Sequence, residues 1–146
     1  MNALTTYAPH AARLLLGLIF VVFGLNGFLN FIPIPPPTGA AAEFMGGLAA
    51  AGYFFPLLKG TEIVVGLALL SNRFVPLALV VLAPITINIV AFNILEPAGL
   101  PLAILIVGLQ GGLAWYHRAA FRPLLTAVSA DREEVAEEPA GSTLAV

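Results

Sequence analysis

Two charged side chains stand inside an otherwise apolar run of the chain, and their types and spacing could do chemistry. Lys59 and Glu62 interrupt the run Leu-Leu-Lys-Gly-Thr-Glu-Ile-Val-Val-Gly, three positions apart. Side chains at i and i+3 share one face of an α-helix, so an ammonium and a carboxylate at this spacing can pair directly. Ionisable residues within such a run mark ligand sites, proton relays or internal ion pairs. A binding role and a purely structural ion pair both stay open.

Amide side chains form a second polar group within the apolar runs. Counting about 1.5 Å per residue from the predicted helix starts places Glu62 about 12 Å in from one end of the bundle. The amides that join it in the predicted pocket are Asn26, Asn30, Asn88 and, near the middle, Gln110, with Asn93 at a similar depth. Asn26 and Asn30, four positions apart, should form one stripe on the first helix. The alternative for each amide is a hydrogen bond that holds two helices together.

Composition places the chain among membrane proteins. Of its 146 residues, 60% are hydrophobic and 10% charged, and the mean hydropathy is +0.98, well above ordinary globular usage. The chain has no cysteine, which excludes disulfide, thiolate-ligand and iron–sulfur chemistry of its own. His10 and His117 lack companion ligands, so no metal site is predicted. No basic stripe indicates nucleic-acid binding.

Proline placement divides the apolar stretch into four helices. A proline in the first turn of a helix costs no hydrogen bond, because that N–H would be unpaired anyway. The prolines at the start of an apolar run are Pro9, Pro56, Pro76 and Pro101. They predict helices over about 10–31, 54–71, 74–95 and 100–118. Short turns make consecutive helices antiparallel neighbours, so the predicted fold is an all-α four-helix membrane bundle over about 1–128.

Two segments lie outside these helices. The connection between the first two begins with the extended run Ile-Pro-Ile-Pro-Pro-Pro and continues as 40–51, a segment compatible with a short interfacial helix. Residues 129–146 are acidic and poor in aromatic residues, which is typical of a disordered tail. In the third helix, Pro84 removes a backbone donor and should leave the carbonyl of Val80 free at a kink.

The second predicted helix should not face lipid alone. Its ten Leu, Ile, Val and Phe residues favour insertion by about 3 to 6 kcal/mol, while two charges in mid-span cost about 2.5 to 3.5 kcal/mol each. Because the sum is near zero, the charged face should turn inward. Gly60 and Gly66 are expected to allow neighbouring helices to approach it closely.

Basic residues outside the spans indicate the orientation. Arg13, Arg73, Arg118 and Arg122 fall at one end of the predicted bundle, while the loops at the other end carry Glu43 and Glu96 without a base. The positive-inside rule places the basic end in the cytoplasm. Both termini are then cytoplasmic, and the polar pocket opens to the outside.

Short motifs in these helices resemble the DoxX family of four-helix membrane proteins. They are Ala12-Arg13-Leu-Leu-Leu-Gly17, Gly24-x-Asn26-Gly27, Gly60-Thr-Glu62 followed by Gly66-Leu-Ala-Leu-Leu, and Asn88 after a mid-helix proline. The resemblance covers residues 10 to about 122. It implies that Glu62 matches the family's second-helix acid and Arg13 its first-helix arginine, so Arg13 joins the candidate pocket residues. It also implies a link to membrane oxidoreductase complexes, including a quinone-reducing one, in the plasma membrane or bacterial inner membrane.

Two classes of function remain open from the sequence. The first is a subunit or accessory of a membrane redox complex, whose pocket holds a quinone or another small molecule and whose protein partner carries the redox cofactor. The second is a non-enzymatic lipid or small-molecule binder, or an assembly factor that recognises other helices. No residue is assigned a catalytic role, and no covalent cofactor is expected. Gly108-x-x-x-Gly112 offers a face for a homo-oligomer.

The topology can be tested with single cysteines, since the chain has none of its own. In intact cells, Thr38→Cys and Ala98→Cys should react with a membrane-impermeant maleimide, because both loops are predicted to face outward. Asn72→Cys and Ala140→Cys should react only after the membrane is opened. The reverse pattern would show that the basic end faces outward.

Overall fold

The computed structural model of the chain describes residues 3–125, with side chains from Tyr7 to Leu124. Within this part the chain forms helices joined by turns, so the predicted all-helical class is confirmed. The main helices are α1 (Ala3–Leu29), α2 (Gly39–Ala50), α3 (Phe54–Leu70), α4 (Val75–Leu95) and α5 (Leu100–Tyr116). A one-turn helix, α6 (Arg118–Phe121), follows, and single 3₁₀ turns lie at Pro97–Gly99 and Arg122–Leu125. The predicted tail, 129–146, lies outside the described residues.

Most of the predicted helix bounds agree with the structure to within two residues. The exception is α1, which begins at Ala3 and runs through Pro9, so the predicted start at position 10 was wrong. Proline deprives only the carbonyl four residues earlier of its donor, and this carbonyl belongs to Thr5 in the first turn of α1. The segment predicted as a short helix at 40–51 is helical and forms α2.

Three segments are long and apolar enough to cross a membrane: Tyr7–Leu29, Val75–Leu95 and Pro97–Tyr116. A fourth is added if α2 and α3, which meet at an angle of 91°, count as one broken span. The outer faces of these helices carry large apolar side chains, with Ile87 68%, Ile94 80% and Ile104 63% exposed. A soluble helix would place polar residues there. This surface is compatible with a transmembrane protein.

The four long helices contact one another in a ring. Helix α1 packs on α3 and α5, and α4 packs on the same two helices. The following side chains at the centre of the ring are almost completely buried: Leu16, Phe20, Leu69, Leu82 and Leu113. The most extensive contact is between α1 and α3.

Two glycines explain how closely α1 and α3 approach. A Cβ atom on Gly17 would lie 2.9 Å from the carbonyl oxygen of Gly66, and one on Gly66 would lie 2.9 Å from that of Gly17. The helix backbones therefore touch at this crossing, as was expected for Gly66. The same expectation for Gly60 was wrong, because a Cβ at Gly60 would meet nothing within 4 Å.

The carboxyl end of α3 is held by an arginine from α1. Arg13 Nη1 donates to the carbonyl of Leu69 and, at 3.0 Å, to that of Leu70. The last carbonyls of a helix lack intrahelical donors and carry the negative end of its dipole. The buried Arg13 guanidinium therefore supplies hydrogen-bond donors to these carbonyls and a positive charge at the negative end of the dipole. It holds the end of α3 against the side of α1.

Replacing Gly66 by alanine should separate α1 from α3. The added Cβ would lie 2.7 Å from Val21 Cγ2 and 2.9 Å from the Gly17 carbonyl oxygen, and overpacking of this kind costs about 1 to 3 kcal/mol. Thermal unfolding in detergent should show a lower Tm for Gly66→Ala. The matched control, Gly108→Ala, adds a methyl group in open space and should leave the Tm unchanged or raise it. Equal effects of the two changes would show that the crossing is not the tightest point of the fold.

Candidate functional site

The predicted ion pair forms on α3. Lys59 Nζ donates to Glu62 Oε2 at 2.8 Å. The Glu62 side chain is 4% exposed and that of Lys59 is 24% exposed, so the carboxylate is enclosed while the ammonium still reaches the surface of a cavity. Lysine offers three N–H donors, and one of them is used here. The pair is neutral as a unit and retains hydrogen-bonding capacity.

Glycines on α1 make room for the lysine. A Cβ on Gly27 would lie 2.5 Å from Lys59 Cγ and 2.6 Å from Lys59 Cδ, so the alkyl chain rests directly on the α1 backbone. Gly24 lies in the same way against Ile63 and the carbonyl oxygen of Lys59. The Gly24-x-Asn26-Gly27 segment therefore positions the lysine by leaving space for it.

The ion pair borders a cavity of about 710 Å³ to which all five main helices contribute. This volume is typical of small-molecule sites. Four of the lining residues are polar, and the rest are aliphatic or aromatic. The polar ones are Lys59, Glu62, Asn88 and Asn93.

Helix α2 forms part of the cavity wall. Phe44, Met45 and Leu48 line the cavity from this helix, and the Phe44 ring packs on Phe92 of α4 with centroids 6.2 Å apart. Because α2 meets α3 at 91°, it projects away from the axis of α3. The segment between the first two long helices thus adds apolar surface to the site.

The two cavity-lining asparagines of α4 fold their amides back onto their own helix. Asn88 Nδ2 donates to the carbonyl of Pro84 at 2.9 Å, and Asn93 Nδ2 donates to that of Ile89 at 2.7 Å. Asn93 Oδ1 is buried and accepts no hydrogen bond within the described part of the chain. Each amide nitrogen carries two N–H groups and uses one of them locally, so each asparagine can offer a ligand its second N–H and its acceptor oxygen.

Gln110 lies apart from the cavity and holds α5 to α4. Its Nε2 donates to the carbonyl of Leu79 at 3.0 Å, and its Oε1 accepts from Thr86 Oγ1. Leu79 precedes Val80, whose carbonyl was predicted to be freed by Pro84. The structure thus supports the structural alternative for Gln110, a hydrogen bond between helices near the proline.

The other three predicted pocket residues also lie outside the cavity lining. Asn26 closes the end of α1, since its Oδ1 accepts from the Ile32 backbone N–H at 2.6 Å and its Nδ2 donates to the Ile32 carbonyl at 3.3 Å. Asn30 follows the last residue of α1 in a left-handed conformation, φ 50°. The expected stripe of Asn26 and Asn30 does not form, because α1 ends between them. Arg13 lies at the opposite end of α3 from the N-terminal turns that carry Lys59.

The structure brings Lys59, Glu62 and Asn88 together among the predicted site residues and adds several that the sequence did not single out. Asn93 was noted only for its depth. Thr86, which donates to Gln110 outside the cavity, could not be singled out from the sequence, because a threonine in an apolar helix is common. The cavity-lining residues of α2 could not be placed from the sequence, since nothing local says which face of a short helix meets the others.

No family model, curated protein or solved structure matches the chain. The resemblance to the DoxX family therefore stays a prediction that rests on its short motifs. Among the described residues no group of three or more His, Asp or Glu side chains could hold a metal ion. The cavity beside the ion pair is the feature from which a function can be argued.

The coupling of Lys59 and Glu62 can be measured with a double-mutant cycle. Glu62→Gln and Lys59→Met should each lower the Tm, because a buried charge left without its partner costs about 3 to 5 kcal/mol. The double variant should recover much of that loss, since no uncompensated charge remains.

Glu43→Gln is the control for this cycle, because Glu43 is an exposed acid on α2. It should leave the Tm unchanged with or without Lys59→Met. Additive losses for Lys59→Met and Glu62→Gln would mean that the two side chains do not interact in the protein.

Proposed function

We propose that the chain is an integral membrane protein of the DoxX type that binds an apolar small molecule in the cavity beside Lys59 and Glu62. In this proposal α1, the bent α2–α3 pair, α4 and α5 form a four-helix bundle in the plasma membrane, with both termini in the cytoplasm. The protein acts as a non-catalytic subunit or accessory of a membrane oxidoreductase, whose partner carries the redox cofactor. The bound molecule is a quinone or a molecule of similar shape and polarity.

The observation that carries the proposal is an apolar cavity with one neutral ion pair in its wall. Its volume of about 710 Å³ lies in the range of small-molecule sites. Because the walls are mostly apolar, water would find few hydrogen-bond partners there. The lining therefore favours an apolar occupant.

The lining residues fit a quinone head group. A quinone carbonyl needs a hydrogen-bond donor, and Lys59 Nζ keeps N–H groups that Glu62 does not use. The ring and the first part of an isoprenoid chain would be held by apolar side chains such as Ile89, Phe92 and Ile106. When bound, the quinone would supply the electron-accepting chemistry that a chain without cysteine lacks. The link to an oxidoreductase itself rests on the resemblance of the motifs.

A second candidate is a lipid or small-molecule binder without a redox role, or an assembly factor. The observation that favours it is the small polar share of the cavity lining, because a site of this kind accepts many apolar ligands. The two candidates differ in what the protein retains and in what it assembles with.

The test is to purify the protein in a mild detergent, extract it with organic solvent and identify the retained molecule by mass spectrometry. A quinone at near-stoichiometric amount, together with a co-purifying protein that contains a flavin, haem or iron–sulfur cluster, supports the redox proposal. Retention of phospholipid alone supports the second candidate. Absence of any retained apolar molecule would contradict the redox proposal and the lipid binder, and would leave the assembly factor.

Binding of a short-chain quinone to the delipidated protein provides a further measurement. The Lys59→Met/Glu62→Gln variant keeps the cavity without a buried charge but lacks the charge-assisted hydrogen bond, which is worth about 1.5 to 3 kcal/mol. We expect its affinity to fall about tenfold to a hundredfold. Glu43→Gln should bind like the wild type. Equal quinone affinities of the wild type and the double variant would show that the ion pair takes no part in binding.

A further inference from the structure

A second depression, of about 530 Å³, runs between α3 and α4 on the side away from the ion pair. We call it the α3–α4 groove. It is bordered mainly by aliphatic side chains and by Phe74. Four of its residues have large exposed side chains: Leu57, Val64, Phe74 and Leu77.

Small residues form the floor of this groove. Gly60 and Ala68 on α3 and Ala78 on α4 leave space between the two helices, which pack on each other less extensively than α1 packs on α3. A Cβ at Gly60 would meet nothing within 4 Å. Along α3 the groove extends from Pro56 to Ala68, about 18 Å at 1.5 Å per residue. That length is close to one leaflet of a hydrocarbon core about 30 Å thick.

A tight turn closes one end of the groove and presents a base there. The Asn72 N–H donates to the Leu69 carbonyl at 3.1 Å, and the Arg73 N–H donates to the Ala68 carbonyl at 2.9 Å. With Asn72 left-handed at φ 57°, these bonds form a Schellman motif. The motif fixes the path of the backbone after α3 and therefore the position of the Arg73 Cα atom.

The Arg73 side chain is exposed and makes no ion pair with any described residue. The next residue, Phe74, lines the groove and is held at φ 54°, a conformation that is strained for a large side chain. Helix α4 begins immediately afterwards, but the negative end of the α3 dipole lies at the same turn, so the positive charge here is that of the Arg73 guanidinium. The end of an apolar groove thus meets positive potential.

We propose that the α3–α4 groove binds one anionic phospholipid, with an acyl chain along Gly60 and Ala68 and the phosphate beside Arg73. This site is separate from the proposed quinone cavity and rests on the proposed insertion in the membrane. Its length matches a chain of one leaflet, and its charge selects an anionic head group over a zwitterionic one. The basic end of the bundle is the one that we place in the cytoplasm, where anionic lipids are attracted to arginine and lysine.

The test compares the thermal stability of the purified protein in detergent with three added lipids. They are dioleoyl phosphatidylglycerol, dioleoyl phosphatidylcholine and a short-chain phosphatidylglycerol. Phosphatidylglycerol with long chains should raise the Tm most, by about 4 °C or more. Phosphatidylcholine lacks the net charge, and the short-chain lipid cannot fill the groove, so each should raise it less. Equal shifts with all three lipids would overturn the proposal.

Two variants separate the head group from the chain. Arg73→Gln should weaken phosphatidylglycerol binding about fivefold, the usual contribution of one basic residue near a membrane surface, and should remove its advantage over phosphatidylcholine. Gly60→Leu should fill the groove and remove the advantage of long chains over short ones. The matched controls are Arg122→Gln and Gly111→Leu, because Arg122 is another exposed base and Gly111 another open glycine of a long helix. Both should behave like the wild type, and losses as large as those of the test variants would overturn the site.

A photoreactive acyl chain gives a measurement on the wild-type protein, independent of how the variants fold. Cross-linked phosphatidylglycerol should be found on peptides of α3 and α4. Labelling confined to α1 or α5 would contradict the proposal. A wild-type dimer in detergent that Gly60→Leu converts to a monomer would also overturn it, because the groove would then hold a second copy of the chain. If the quinone tests fail and these succeed, the lipid site stands without the proposed function.

Discussion

The ion pair between Lys59 and Glu62 constrains how α1 and α3 can meet. Both charges lie in a helix whose other residues are mostly apolar, so each needs the other within hydrogen-bond distance. The lysine reaches Glu62 along a path over Gly27, where any side chain would collide with it. That path requires the α1 backbone to lie directly against α3. The contact of Gly17 with Gly66 continues the same close approach along the helices.

Polar contacts divide the four long helices into two pairs. Arg13 on the Leu69 and Leu70 carbonyls joins α1 to α3 at one end, and Gln110 joins α5 to α4 through Thr86 and the Leu79 carbonyl. Among the described residues of these four helices, side-chain hydrogen bonds between helices occur only within the two pairs, and the cavity is lined by both pairs.

The sequence predicted the features that depend on local spacing. The apolar runs and the prolines at 56, 76 and 101 gave three helices, and the i, i+3 spacing of Lys59 and Glu62 gave their ion pair. The prediction failed where the outcome depends on where the chain turns. Asn26 and Asn30 were predicted to form one stripe, but α1 ends between them. Asn26 instead hydrogen-bonds to the Ile32 backbone at that end, and Asn30 is left-handed. Arg13 resembled a flanking charge because its acceptors, 56 and 57 positions away, could not be seen in the sequence.

The two ends of the molecule differ in packing, and this difference bears on function. At the basic end Leu16, Leu69 and Leu113 are almost fully enclosed, and the α3–α4 groove lies outside this packed centre. At the other end Phe44, Phe54 and Phe92 surround a cavity. Aromatic side chains are large enough to fill such a space, but here they line its wall. Helix α2 adds three apolar side chains to the wall that the four long helices form, and so extends the apolar surface that the proposed ligand would contact.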